Sequence, residues 1–183
     1  MAYKSKIIHN PVTGQEIKFL QTSADTGGKL LEMESTWYGP SKEPVPHYHP
    51  YQEEDFRVIS GELTVRLGDV IRTLKAGDGV HISVNQVHSM WNASEGKTVA
   101  NWQVRRALDT ELLLETMTGL AADGKTNAAG MPNILQIALT ADKFSNILRL
   151  GKPSFATQRV VFFLLKPFAR IVGYRATYSK YLD

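Results

Sequence analysis

The stretch VPHYHPYQEEDFRVISG, residues 45–61, contains two histidines, an acidic pair and an alternating apolar pattern. His47 and His49 are two residues apart in an extended, proline-flanked run. In a β-strand this spacing puts both imidazoles on one face, because successive side chains point to opposite sides. We therefore expect a pair of imidazoles on one side of a strand.

The acidic pair that follows is assigned to faces by the strand behind it. Glu54 has the parity of Phe56 and Val58, whereas Glu53 has the parity of Asp55, which is typical of a solvated face. Glu54 is thus predicted on the apolar side. A buried carboxylate is costly unless it is compensated, and imidazoles with a carboxylate are ligands that suit a divalent cation.

The stretch resembles the first motif of the cupin superfamily, which is HxH, three or four residues, Glu, six residues and Gly. His47, His49, Glu54 and Gly61 fill every position of that motif. The resemblance implies a barrel strand whose histidines and carboxylate face a metal site.

The second cupin motif is Gly, five residues, Pro, any residue, Gly, two residues, His, three residues and Asn. Gly77, His88 and Asn92 match it in type and spacing, while Ser83 replaces the proline and Asn85 the second glycine. Asn tolerates the left-handed backbone better than most residues, so we expect the turn to survive.

The resemblance implies a mainly β fold, a cupin-type double-stranded β-helix or jelly-roll barrel, with one divalent metal on His47, His49, Glu54 and His88. Iron or manganese is favoured, and nickel, zinc and copper remain open. Such a ligand set leaves one or two positions open on an octahedral ion, as in catalytic sites. The alternative is a barrel whose histidines are satisfied without metal.

Strand patterns occur in the first part of the chain, at residues 16–21, 30–38, 55–60, 80–83, 87–92 and 98–106. Leu63, Val65 and Leu67 alternate with polar residues ahead of a turn at Gly68-Asp69, which predicts a hairpin. The even spacing of these runs is typical of a barrel.

Helical periodicity begins after Asp109, a predicted N-cap. A second helix is predicted from Pro132 up to Gly151, and a third over 155–166, with Pro167 either kinking it or beginning a new segment. We divide the chain into a barrel, 1–108, and a helical extension, 109–183, that packs on the barrel or at a dimer interface.

Composition and charge exclude some classes of site and partner. The chain lacks cysteine and carries 21 Lys and Arg against 18 Asp and Glu without a basic block, which excludes thiolate sites and argues against nucleic acid. The apolar run at 160–165 is too short to span a membrane, and we favour its burial at a homodimer contact over an interfacial anchor. The N-terminus lacks the pattern of a secretory signal, so cytoplasm is expected.

Met33, Phe56, Met90 and Trp102 are pocket candidates, although apolar side chains on barrel strands are more often core. Asn101 has the opposite parity to Trp102, and only one of the two sets can point inward.

Three functions remain open. The chain is a metal-dependent dioxygenase acting on a small oxygenated molecule, a metal-dependent isomerase, or a non-catalytic small-molecule-binding protein or sensor. The isomerase needs a base that the sequence does not identify.

Overall fold

The computed structural model describes residues 1–182, so Asp183, the last residue of the predicted extension, lies outside it. Within this range, strands occupy most of the first 105 residues and the longer helices follow. The strands are β1 (Ile7–Asn10), β2 (Gln15–Gln21), β3 (Leu30–Trp37), β4 (His47–Tyr48), β5 (Glu53–Ser60), β6 (Glu62–Leu67), β7 (Val70–Lys75), β8 (Gly79–Ile82), β9 (His88–Trp91), β10 (Thr98–Arg105) and β11 (Arg149–Leu150); the helices are α1 (Ser23–Thr26), α2 (Thr110–Ala122), α3 (Ile134–Lys143) and α4 (Phe155–Ile171), with a 3₁₀ turn at Ser179–Tyr181.

The strands form two antiparallel sheets. The six-stranded sheet has the order β1-β2-β3-β10-β5-β8, and the five-stranded sheet has the order β11-β4-β9-β6-β7. The predicted mainly β architecture with a helical C-terminal region is confirmed. In the first sheet β10 lies between β3 and β5, and β8 lies beside β5, so these neighbours are far apart in sequence, as a jelly roll requires.

The inward face of β5 is the one that its parity predicts. Glu54, Phe56 and Val58 are buried, whereas Glu53 and Arg57 are exposed. Burial of this face contributes to a cluster between the sheets that is formed by Trp37, Phe56, Val58, Leu63, Val65 and Ala100.

Two turns show why the motif residues are needed. Gly61 has a φ of 77°, and a Cβ there would lie 2.3 Å from the Lys97 carbonyl oxygen, so only glycine fits. Asn85 has a φ of 63°, as expected of a residue in place of glycine, and its N–H donates to the His49 carbonyl at 2.8 Å. The turn therefore supports the strand that carries the histidines.

The second predicted helix is too long. α3 begins behind Asn133, whose side chain accepts from the Gln136 N–H, and it ends at Lys143 rather than near Gly151. Ser145 and Asn146, which are poor helix formers, follow in a turn. The residues that follow α3 pack on α2, in a cluster of Leu113, Phe144 and Ile147.

The third predicted helix is longer than expected. α4 runs through Pro167 to Ile171 without dividing. Pro167 lacks the N–H that would bond to the Phe163 carbonyl, but both residues are exposed, so water can reach that carbonyl.

The extension is fastened to the barrel and is also held together by contacts within itself. Lys6, just before β1, forms a buried ion pair of 2.7 Å with Glu115 of α2. In the tail, Tyr178 donates its hydroxyl to Gln136 at 2.7 Å, and the Tyr181 ring lies so close to Gly119 that no Cβ would fit there. Within residues 1–182, no helix combines the length and apolar character that a membrane span requires.

Candidate metal centre

The three motif histidines meet on two neighbouring strands. His47 of β4 stands opposite His88 of β9 in the register, and His49 follows β4 by one residue. Their ligand atoms all lie within 4.8 Å of one another. The ring centroids are 4.5 to 5.2 Å apart. The structure thus brings together three histidines that can hold a metal ion.

The carboxylate of Glu54 comes from the opposite sheet and closes this cluster. Its Oε2 lies 3.0 Å from His88 Nε2 and 3.3 Å from His49 Nε2. Its Oε1 accepts a hydrogen bond from Trp102 Nε1 at 3.0 Å. The indole therefore orients the carboxylate so that its other oxygen faces the imidazoles.

Each imidazole is oriented by its Nδ1, which lies within hydrogen-bond distance of a backbone carbonyl. His47 Nδ1 is 3.2 Å from the Val45 oxygen, His49 Nδ1 is 2.7 Å from the Ile147 oxygen, and His88 Nδ1 is 2.9 Å from the Gln86 oxygen. A carbonyl can only accept, so each Nδ1 carries the proton. In a neutral ring this leaves the Nε2 lone pair as the available ligand.

This arrangement fits a cation. Lone pairs on Nε2 atoms converge with the carboxylate of Glu54, and groups that only accept hydrogen bonds cannot satisfy one another. His49 Nε2 is buried and has no hydrogen-bond partner, although Glu54 is near. A divalent ion bound by these atoms would satisfy the set, with the Nδ1 contacts as its supporting shell.

The electrostatics of the cluster also favour a bound cation. Burial, together with the nearby His88 and His49, lowers the pKa of His47 to about 3 and keeps it neutral. Burial alone would raise the pKa of Glu54, yet His49 and His88 hold it well below its usual range. Burial also opposes charge on His49, but the Glu54 charge outweighs it and raises the pKa of His49. The carboxylate is ionised and attracts positive charge.

The extension supplies part of this centre, which the sequence pattern did not reveal. β11 pairs with β4, with Arg149 opposite Tyr48 and Leu150 opposite His47. The Ile147 carbonyl, in the turn before β11, is the acceptor for His49 Nδ1. The apolar pattern of 147–150 fits a helix as well as a strand, so no local signal identified this contact.

Access to the centre is from one side. His49, Glu54 and His88 are almost completely buried, whereas His47 is half-buried. His47 lines a cavity of about 250 Å³ between β4 and the helices α2 and α3. A larger cleft of about 680 Å³ runs along 43–46 beside the Arg66–Glu43 ion pair, and none of the four residues lines it.

The four residues that the sequence offers as pocket candidates lie away from the cavity beside His47. Met33 and Phe56 lie in packed clusters, and Met90 is half-buried against the Phe56 cluster. Trp102 stacks on Phe56 and donates a hydrogen bond to Glu54, so its side chain points into the barrel. Asn101, on the other face of the same strand, points away and donates to Glu32. None of the four lines the cavity beside His47.

Two polar residues near the motifs are structural. Asn92, at the end of the second motif, is buried and donates to the Gly39 and Gly96 carbonyls. Gln52 is also buried and donates to the Arg106 carbonyl at 2.6 Å, which ties the ligand strand to the start of the extension. The loop that carries Gln52 therefore folds against the chain before α2.

Comparison with known proteins adds to this geometry. Residues 37–103 match the family model of the cupin domain. This stretch of the barrel, which contains His47, His49, Glu54 and His88, is therefore similar to the cupin domain. An RmlC-like cupin from Shewanella frigidimarina has the same fold, with a TM-score of 0.50 and 17% identity over 61% of this chain and 92% of that one.

Two curated fungal relatives match shorter parts of the chain. An oxidoreductase of Arthrobotrys oligospora is 45% identical over 51 residues, which are 27% of this chain and 20% of the relative. The oxidoreductase OpS7 of Beauveria bassiana is 31% identical over 72 residues, 37% of this chain and 24% of the relative. The matches thus span a quarter or less of either relative.

Proposed function

We propose that this protein is a metal-dependent oxidoreductase of the dioxygenase type, with iron or manganese held by His47, His49, Glu54 and His88, acting on a small oxygenated organic molecule. The observation that carries the proposal is the convergence of Nε2 lone pairs on an ionised, buried carboxylate. The oxidoreductase relatives support the reaction class.

The residues of this chain have defined parts in such a site. The Nδ1 contacts and Trp102 orient the ligand atoms, and burial keeps His49, Glu54 and His88 away from bulk water. The cavity admits a molecule beside His47. A bound iron or manganese ion would supply redox and Lewis-acid chemistry there.

The isomerase alternative has less support. A metal-assisted isomerisation needs a general base close to the substrate. Among the described residues that line the cavity there is no carboxylate or amine, and the only titratable side chain is His47, a proposed ligand. We therefore do not propose this reaction.

Metal analysis tests the proposal. Protein purified without chelators should carry one iron or manganese ion per chain, and Glu54→Gln should lower metal affinity by more than roughly 100-fold, since even outer-shell changes cost 10- to 100-fold. Glu53→Gln, on the exposed face, is the matched control and should retain the metal. Equal losses from both variants would contradict the ligand set.

Oxygen uptake then separates catalysis from binding alone. The metal-loaded protein should consume dioxygen with a panel of diketones, hydroxy acids and phenols. A full metal complement without uptake on any of them would favour a non-catalytic binding protein, and a zinc, nickel or copper complement would contradict the choice of metal.

A further inference from the structure

The cavity beside His47 is lined mainly by apolar side chains. We propose that it is the substrate pocket and that it takes a neutral, largely apolar organic molecule. The reaction of that molecule rests on the proposed function, but its binding does not, because only His47 among the four proposed ligands lines the cavity.

The walls of the cavity are apolar. Met117, Ile137 and Leu148 are only half-buried because they face this space, and they adjoin the buried Leu113 and Phe144. No Asp, Glu, Lys or Arg is among the described residues of the lining. A sugar phosphate or a dicarboxylate would find no countercharge here apart from a metal ion, whereas an apolar body would gain by leaving water.

The lining also holds a polar group without a partner. The Thr13 hydroxyl is buried and makes no hydrogen bond with residues 1–182. A buried hydroxyl in this state is costly, and a ligand oxygen or N–H in the cavity would satisfy it. The other polar lining residues are engaged; the Gln15 amide, for example, donates to Ser35.

The size of the cavity limits the ligand. Its volume is about 250 Å³. An apolar protein cavity of about 150 Å³ holds benzene. The space therefore fits one ring with a short substituent, or an alkyl chain of similar size, with one polar end.

The methionines provide a direct test. Met117 and Met131 line the cavity, whereas Met33 and Met90 do not. In the full chain labelled with [methyl-¹³C]Met, addition of butyrophenone should shift the Met117 and Met131 methyl signals, while succinate should shift neither. Shifts confined to Met33 and Met90 would place the pocket inside the barrel, and unshifted cavity methionines would overturn the proposal.

A filled cavity supplies the control. Ala141→Phe puts a ring into the space and should weaken butyrophenone binding by at least roughly tenfold, since even one methylene can change discrimination by that factor. Ala122→Phe, the same change at an exposed helical position, should have no effect. Equal affinities would overturn the proposal. Loss of metal binding with intact methyl shifts would defeat only the proposed function.

A second inference rests on α4, which presents an apolar face to solvent. Phe163 is 70% exposed and Ile171 is 82% exposed, while Phe162 and Ala169 on the opposite side are buried. At 100° per residue, the exposed apolar side chains share one face of the helix. They are Val160, Val161, Phe163, Leu164, Phe168, Ile171 and Val172. Within the described chain, Phe162 is the buried residue of the 160–165 run, and most of the others face solvent.

Cations border this face. Arg159, Lys166 and Arg170 are seven and four residues apart, so they form one stripe beside the apolar side chains. Lys166 pairs with Asp142 at 2.8 Å. Between Asp142 and Asp183 the sequence has no Asp or Glu, and its cations are Lys143, Arg149, Lys152, Arg159, Lys166, Arg170, Arg175 and Lys180.

We infer that α4 lies on an anionic lipid surface, with its apolar face in the headgroup region. An apolar face bordered by Lys and Arg is typical of interfacial helices, and an anionic surface complements the charge. A second copy of the chain, the occupant expected from the sequence, would bring together two stripes that each hold three cations against the single carboxylate of Asp142. Charge complementarity therefore favours the lipid.

Vesicle sedimentation of the full chain tests this inference. Binding to phosphatidylcholine vesicles with 30% phosphatidylserine should be strong at low salt, weaken as salt is raised, and be absent with phosphatidylcholine alone. Each of Arg159→Gln and Arg170→Gln should reduce the partition coefficient about fivefold. Equal binding to both kinds of vesicle would overturn the anionic preference.

Matched apolar variants distinguish the helix from the rest of the surface. Phe163→Ser with Phe168→Ser should abolish sedimentation, whereas Ile59→Ser with Ile71→Ser, two exposed positions on the barrel, should not. Analytical ultracentrifugation reports the competing occupant. A dimer that does not bind vesicles, and that becomes a monomer in the Phe163/Phe168 variant, would overturn the inference.

Discussion

The barrel and the helical extension contribute to the candidate metal centre in different ways. The barrel strands and the loop after β4 provide every proposed ligand side chain, His47, His49, Glu54 and His88. The extension provides a backbone carbonyl for His49, a strand that pairs with β4 and two walls of the cavity. The chemistry thus depends on the barrel, while orientation and substrate shape depend on the extension.

Removal of one buried ring from each region tests this division most strongly. Phe144 in the extension and Phe19 in the barrel are both almost fully buried, so each change to alanine should cost about 3–5 kcal/mol of unfolding free energy in urea titrations. Only Phe144→Ala should also lower metal affinity, by roughly 10- to 100-fold. The reason is that Phe144 anchors the turn whose Ile147 carbonyl orients His49. Equal metal affinities would mean that the extension does not orient His49.

The junction between the regions depends on the Lys6–Glu115 pair. Glu115→Ala would leave the buried ammonium without this carboxylate and should cost about 3 kcal/mol. Glu62→Ala, which removes an exposed pair with a separation of 3.9 Å, should change stability by less than about 0.5 kcal/mol. Thermal or urea unfolding measures the stability of both variants. If Glu115→Ala had as small an effect as Glu62→Ala, the Lys6–Glu115 pair would not stabilise the junction.

Within the barrel, the indole of Trp102 should matter through its N–H. Trp102→Phe keeps the ring stacked on Phe56 but removes the hydrogen bond to the Glu54 carboxylate, so it should cost about 2 kcal/mol and roughly tenfold in metal affinity. The same change at the half-buried Trp91 serves as the control in a metal titration. A loss at both positions would point to packing, not to orientation of Glu54.

The smallest effect concerns the tail of the extension. Hydrogen bonds from Lys180 and Tyr181 lower the pKa of Asp123 to about 2. Because this pKa is below the ordinary value of 3.8, the contact stabilises the tail above that pH and is lost as the pH falls toward 2. Carboxyl NMR should show Asp123 titrating near 2 and shifting toward 3.8 in Lys180→Gln. An unchanged midpoint in that variant would contradict the assignment.

Much of the barrel was predictable because the cues are local. Strand parity placed Glu54 inward and Glu53 outward, and the motif spacing identified Asn85 as a turn residue with positive φ. The parity of Trp102 against Asn101 was a two-way choice that only the packing against Phe56 and Glu54 resolved.

The extension was predictable in type but not in detail. Apolar residues up to Leu148 read as helix, yet the chain turns after Lys143 and pairs Arg149–Leu150 with β4, about one hundred residues earlier. What covers the α4 face could not be predicted for a similar reason, since an apolar run does not indicate which surface it contacts.

The sequence by itself determined the cupin fold class and which residues share the inward faces, because the two-residue period of a strand and the backbone needs of Gly61 and Asn85 are local properties. Only the tertiary structure decided that Ile147 orients His49, that α2 and α3 enclose an apolar cavity at His47, and that α4 is uncovered. These features depend on contacts between segments that are distant in sequence. The local periodicity of side chains gives no information about such contacts.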